Sequence, residues 1–517
     1  MKHHINPTAA RQVSLFRQID WFTTLVPFLC ILALCAWFVV SPESSTNTIS
    51  AIRNFLGDEM GSYYLIIGLG VFVCSLYIAF SRFGRIRLGE TDKPLYSGFQ
   101  WGSMIFTAGL AADILFYSCC EWILYASDPH TAEMGTLHEW AATYPLFHWG
   151  PIPWGFYLVL SAAFGFMLHV RKRTRQKYSE ACRPVLGNKV DGIAGKLIDL
   201  IAVFALLAGT ATTFSLATPL LAGAISSVTG IPQSTGLTLV ILVIVCAIYT
   251  FSVYFGMKGV QLSAATCTWL FFGLLAYVFF FGGQTRFIIE EGITALGNLT
   301  QNFIGLATWT DSLRTSSFPQ TWTIFYWAYW MVWCVATPFF IGTISKGRTI
   351  RQTVLGGYFF GLAGTFTSFI ILGNYGLGLQ THGILDLMGL YRETGDLYQA
   401  IIAVFETMPA ARFGLILLAV TMIAFYATTF DALTMVASSY SYRSLDADEE
   451  PDKKVKLFWA ITLMLFPIAL IFSENSMSSL QSVSIVAAFP IGFIILMIVW
   501  SFFKDADAYL HDTGSKG

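Results

Sequence analysis

Trp327, Trp330 and Trp333 recur at every third residue of one apolar run, 318–351. On a helix their indoles fall within one arc of the surface. A helix needs no such stripe merely to sit in lipid. Stacked indole faces suit one ligand type, a quaternary ammonium, which has no hydrogen-bond donor and is drawn to aromatic quadrupoles. Trp322, at the outer end of the run, fits the interfacial belt of membrane proteins. The other three continue to about mid-bilayer, where a belt residue gains nothing, and are expected to face a ligand. A second aromatic group, FHWGPIPWGFY at 147–157, places Trp154 and Tyr157 on one face with Trp149 a turn earlier. Pro151 and Pro153 suit the first turn of a helix. The two groups read as walls of one aromatic box.

Asp113 is the third residue of interest. It sits mid-way along an apolar span, TAGLAADILFYSCCEW, where an unpaired carboxylate costs about 2.5–3.5 kcal/mol. Either it is protonated and held by backbone hydrogen bonds, or it is the counter-ion of a cationic substrate. Enzymatic chemistry has no support: there is no His-Glu-x-x-His, no Gly-x-Ser-x-Gly elbow, and the eight histidines are scattered. A passive channel is disfavoured because an aromatic box holds its ligand too specifically for rapid conduction.

The elements that must position these residues are membrane spans. The 517 residues are 55% hydrophobic and 12% charged, with mean hydropathy +0.62. That composition excludes a string of soluble domains and describes an all-α polytopic membrane protein. The net charge of -1 gives no indication of nucleic acid or of an acidic partner. The nine cysteines lie almost all in apolar runs, without the paired spacing of disulfides or zinc sites. Apolar runs of about 20 residues occur near 20–41, 62–82, 99–126, 146–170, 195–223, 235–256, 260–283, 322–344, 352–376, 411–437, 457–473 and 482–503. The basic N-terminus leads into the first as a retained anchor, without a small-residue cleavage site. Lysine and arginine cluster after spans two, four and eight and before span eleven, and Lys258 follows span six, whereas 127–145 and 224–234 carry none. By the positive-inside rule both termini face the cytoplasm. The stretch 287–306, with Glu290, Glu291 and Asn298, is too polar to span and reads as an amphipathic helix on the outer surface.

Twelve spans divide as two plus five plus five. Spans three and eight then open the two repeats, and both are interrupted: the first at Gly109 and Asp113, the second at Pro338 and Gly342. Breaks at matching positions of two halves point to a central site. The expected organisation is a tail over 1–19, two additional helices within 20–95 and a first repeat over 96–283. An external segment over 284–321, a second repeat over 322–503 and a short tail over 504–517 follow.

TWTIFYWAYW followed by ISKGRTIR resembles the signature of the betaine/choline/carnitine transporter family, and FHWGPIPW resembles that family's span-four motif. The likeness runs from about Tyr96 to the end of span twelve. It departs at Thr321, where glycine is usual, at Tyr329, where the penultimate tryptophan is usual, and at Ala111 and Asp113 in the glycine-rich broken helix. The resemblance implies a LeuT-type 5+5 inverted repeat, a homotrimer in the inner membrane, no cofactor, and alternating access around the box. Carried over, the substrate-binding residues are Trp149, Trp154, Tyr157, Tyr329, Trp330 and Trp333, with Trp322 and Trp327 on the external approach. Asp113 resembles the choline-transporting members, and the physics agrees: choline is a net cation, whereas betaine and carnitine bring a carboxylate. Glu121 is a family-typical position with no ligand role assigned.

The sodium site of coupled members would correspond to Ala108, Leu110, Thr428 and Thr429, although paired helical threonines are ordinarily back-bonded to their own helix. Asp431 is read as structural. Sodium-independent exchangers carry arginine and methionine where this chain has Cys267 and Thr337, which argues against a carnitine/butyrobetaine antiporter. The coupling ion is left as Na+ or H+. The expectation is uptake of choline or a similar trimethylammonium cation, for nutrition rather than osmotic protection because the C-terminal tail lacks a long basic extension. The alternative is a transporter or exchanger of zwitterionic betaines such as glycine betaine, carnitine or γ-butyrobetaine.

Overall fold

The computed structural model describes residues 15–91, 93–108, 112–255, 257–445, 449–472 and 477–514. A backbone removed from water must satisfy its own polar groups, which favours helices. Among the described residues there are helices and two isolated β-bridges, and no strand. In chain order the helices that matter are α1 (Trp21–Val40), α2 (Gly61–Phe80), α3 (Gly98–Ala108), α4 (Ala112–Ala126), α5 (Leu137–His148), α6 (Pro151–Gly165), α7 (Ile193–Thr229) and α8 (Thr235–Phe255). They continue with α9 (Met257–Phe281), α10 (Thr285–Thr308), α11 (Ile324–Trp333), α12 (Thr337–Ile344), α13 (Ile350–Ser368), α14 (Ala411–Tyr440), α15 (Lys453–Phe472) and α16 (Met477–Asp512).

Among the described residues eight helices are long and apolar enough to cross a membrane, or up to eleven if each of three bent pairs counts as one. Twelve are expected from the sequence. The expected run at 235–256 is the 21-residue helix α8, Thr235–Phe255. The amphipathic segment is α10. It leaves α9 at a bend of 112°, exposes the Arg286–Glu290 pair (2.9 Å), and tucks Glu291 against His138 (3.1 Å).

Burial separates centre from periphery. Every residue of α4 and of α11 is buried, whereas α1 turns Leu25, Leu29 and Val40 outward. The two central helices are the halves of the broken spans remote from the basic loops. The axes of α3 and α4 differ by 63°, and the second pair, with α11 and α12 as its halves, is bent by 52°. In span eight the break falls at 334–336, one turn before the expected Pro338. That proline sits in the first turn of α12, where its missing N–H would be unpaired anyway. Gly342 lies inside α12 and faces α6: a Cβ there would come within 2.8 Å of the Gly165 nitrogen, so the two backbones touch. Gly109 and Ala111 lie outside the described residues.

The basic end of span eight is built as a clasp. Gly347 donates to the Leu88 carbonyl (2.6 Å), Leu88 to that of Arg348 (2.8 Å) and Ile350 to that of Ile86 (2.9 Å). Gly347 takes φ +85°, and a Cβ would stand 2.5 Å from the Lys93 carbonyl oxygen, so glycine is required on both counts. The Arg348 guanidinium lies 4.2 Å from the centre of the Trp101 ring, and Thr349 with Gln352 forms the capping box that starts α13.

Candidate functional site

A cavity of about 90 Å³ lies where the two broken spans cross α6 and α14. Asp113, Trp149, Tyr157, Tyr329, Trp330 and Trp333 all line it. Trp330 is the hub. Its ring stands 4.7 Å from Tyr157, 5.6 Å from Trp149 and 5.8 Å from Trp154, centre to centre. Met104, Thr107 and Phe340, on α3 and α12, complete the side nearer the basic loops. On the other side Tyr117, Trp149 and Tyr326 close ring against ring at 5.5–5.8 Å. The cavity therefore extends along the basic-side halves of both broken spans and is shut towards their other ends.

Three of the sequence-derived residues sit elsewhere. Trp154 is fully buried behind Trp330 and Tyr157, against Gly361, where a Cβ would come 2.5 Å from the indole. It backs the wall and does not line the cavity. Trp327 does not share the cavity with Trp330 and Trp333: its indole packs into the notch left by Gly68 on α2 and against Phe147 (5.2 Å). An arc at every third residue drifts by about 60° per step on an α-helix, enough to turn the first indole towards a neighbouring helix. Trp322 is buried at the outer end of the span, donating to Asp128 (3.3 Å) and standing edge-on to Tyr125.

Asp113 occupies the first turn of α4, where the positive end of the helix dipole favours a carboxylate. Its Oδ2 accepts from the Tyr329 hydroxyl and from Thr213 Oγ1 (3.2 Å). Tyr329 and Thr213 also meet each other at 2.6 Å. The tyrosine that replaces the usual tryptophan thus brings a hydroxyl to the aspartate that replaces the usual glycine. Thr213, on α7, escaped sequence reasoning because nothing distinguishes it from its neighbouring threonines.

Ala108, Thr428 and Thr429 border the same cavity, while Leu110 lies outside the described residues. Thr428 Oγ1 donates to the carbonyls of Phe425 (3.1 Å) and Ala424 (3.3 Å) of its own helix. Thr337 is on the wall and Cys267 is buried next to Thr428. Among the described residues no cluster of three or more histidine, cysteine or acidic side chains could hold a metal, and all nine cysteines are free.

A cavity with an aromatic wall, lying between two broken helices of a multi-span bundle, has the form of a membrane transporter's central site. The profile described as BCCT, the betaine/carnitine/choline family transporter, matches residues 22–510. This is nearly the whole chain, beginning well before Tyr96. The glycine betaine transporter OpuD of Bacillus subtilis is 32% identical over 490 residues, 92% of this chain and 93% of its own length. A carnitine transporter of Acinetobacter baumannii is 26% identical over 488 residues, 93% and 88% of the two chains. The betaine/ectoine transporter LcoP of Corynebacterium glutamicum is 29% identical over 492 residues, 92% and 76%. The chain belongs to the betaine/carnitine/choline transporter family, and is a transporter and not an enzyme.

Proposed function

We propose that this protein is a secondary active transporter that imports choline, or a closely similar trimethylammonium cation, by alternating access. The observation that carries the reading is a single carboxylate, Asp113, on the wall that also bears Trp330 and Trp333, with no lysine, arginine or histidine among the described lining residues. Indole and phenol faces attract the trimethylammonium head. Asp113 would neutralise its net charge, with the hydroxyls of Tyr329 and Thr213 orienting the carboxyl from the other side. Trp149, Tyr157 and Tyr329 complete the box, with Trp154 as its backing. Trp322 would stand by the external approach, with Trp327 packed behind it against α2. A homotrimer in the inner membrane with both termini cytoplasmic is part of this reading. So is coupling to sodium at Ala108, Leu110, Thr428 and Thr429, or else to protons.

A second reading is uptake of a zwitterion such as glycine betaine or carnitine, with Asp113 protonated and donating to the substrate carboxylate. The names of the relatives favour it. Competition in proteoliposomes separates the two. Under the first, unlabelled choline displaces labelled choline better than glycine betaine does, and the reverse order sinks it. Imposing sodium, proton and potential gradients one at a time identifies the coupling ion.

A further inference from the structure

Asp113, Tyr117, Glu121 and Tyr125 stand four residues apart on α4 and so share one face. Asp113 belongs to the cavity. Glu121, two turns on, is fully buried outside it. Its Oε2 accepts from Trp149 Nε1 at 2.7 Å, and its Oε1 from the Tyr125 hydroxyl. Tyr125 Oη meets His148 Nδ1 at 2.6 Å, and His148 Nε2 meets Thr323 Oγ1 at 3.0 Å. Donor and acceptor capacities give this chain one direction when Glu121 is a carboxylate. Thr323 donates to His148 Nε2, His148 Nδ1–H to Tyr125, and Tyr125 to Glu121, on which the Trp149 N–H also ends.

The indoles around the cavity differ in this respect. The Nε1 atoms of Trp154, Trp327 and Trp330 are buried without a hydrogen-bond partner. Those rings are held by packing alone. Trp149 is held by packing and by its 2.7 Å hydrogen bond to Glu121. His148, its neighbour in sequence, is tied into the same chain, so Glu121 grips both residues at the end of α5. Thr323 closes the last turn of the π-helix Pro319–Thr323 that leads into α11. One carboxylate thereby fixes the cavity's outer aromatic wall to the outer ends of both broken spans.

We propose that Glu121 is a positioning residue for substrate recognition: through Nε1 it sets the angle at which Trp149 presents its face to the trimethylammonium head. The proposal rests on the reading of the cavity as the substrate site. Without the hydrogen bond the indole N–H is buried and unpaired, and rotation towards another acceptor withdraws the ring face from the cavity. A glutamine can still accept from Trp149 through Oε1 and donate to Tyr125, with the chain beyond it reversing direction through the other imidazole tautomer.

The test is labelled-choline uptake by the full-length protein in proteoliposomes, with KM and Vmax for E121L, E121Q, W149F and the double variant E121L/W149F. We expect E121L to raise KM about tenfold, the cost of one buried hydrogen bond left unmade, with Vmax within about twofold. E121Q should stay within about threefold of the parent. In the W149F background E121L should add nothing, because the residue acts through that indole. Parental KM in E121L, or single effects that multiply in the double variant, overturns the proposal. E121M preserves volume and takes the place of E121L if the leucine variant does not fold. W149F and W330L both leaving KM unchanged would instead sink the cavity reading, a separate failure.

Discussion

Two carboxylates on one helix, two turns apart, live in different surroundings. Asp113 faces a cavity and takes its hydrogen bonds from hydroxyls, Tyr329 and Thr213. Glu121 is sealed away from the cavity beside His148 and Tyr326, and takes its hydrogen bonds from Tyr125 and Trp149. An intramembrane carboxylate costs several kcal/mol unless compensated, and the two are compensated differently. Asp113 keeps a face towards empty volume, where a cation can serve as one more partner. Glu121 has none to spare. Burial alone does not tell a ligand-facing charge from a fastening one; where the unfilled space lies does.

That contrast can be broken by mutation, beginning with the largest effect. W330L removes the hub of the aromatic wall. Losing a desolvated cation-π contact of about 2 kcal/mol weakens binding roughly 30-fold, so saturable uptake should nearly vanish; near-parental affinity would remove the box. D113G should lower choline affinity by about tenfold and raise that for glycine betaine, one charge contact being exchanged for another. Unchanged choline uptake would take Asp113 out of the site. Y329F leaves the ring but deletes a donor to Asp113, and a KM change of about two- to fivefold is expected for one hydrogen bond. W327F should leave KM unaltered while lowering thermal stability by about 1 kcal/mol, as a smaller ring leaves part of the Gly68 notch unfilled. A raised KM in W327F would bring that indole back to the ligand.

Much of the arrangement was legible in the sequence because periodicity and hydropathy report it directly. The broken spans, the amphipathic helix and the meeting of 147–157 with 318–351 all follow from apolar runs and their interruptions. What was not legible depends on which neighbour a side chain meets. Trp327 and Trp330 look alike at their spacing. They part company because Gly68, some 260 positions away in the chain, leaves a hole for one of them. The break in span eight falls before Pro338 because a proline is comfortable in a first turn. The Asp113–Tyr117–Glu121–Tyr125 face could have been read from its four-residue spacing. Its partners on α5 and at Thr323 could not, since they are set by tertiary packing alone.

The clasp at the basic end of span eight also bears on how the molecule can move. α12 continues through Ile344 into the loop that shares three backbone hydrogen bonds with residues 86–88. Each is worth about 0.5–1.5 kcal/mol net. A swing of α12 that left residues 86–88 behind would forfeit all three together with the lodging of Gly347 against Lys93. The cheaper course is for that loop to travel with it. That loop follows α2 after one short helical turn, Arg82–Arg85, so the backbone ties α2, which lies outside the two expected repeats, to the basic end of span eight.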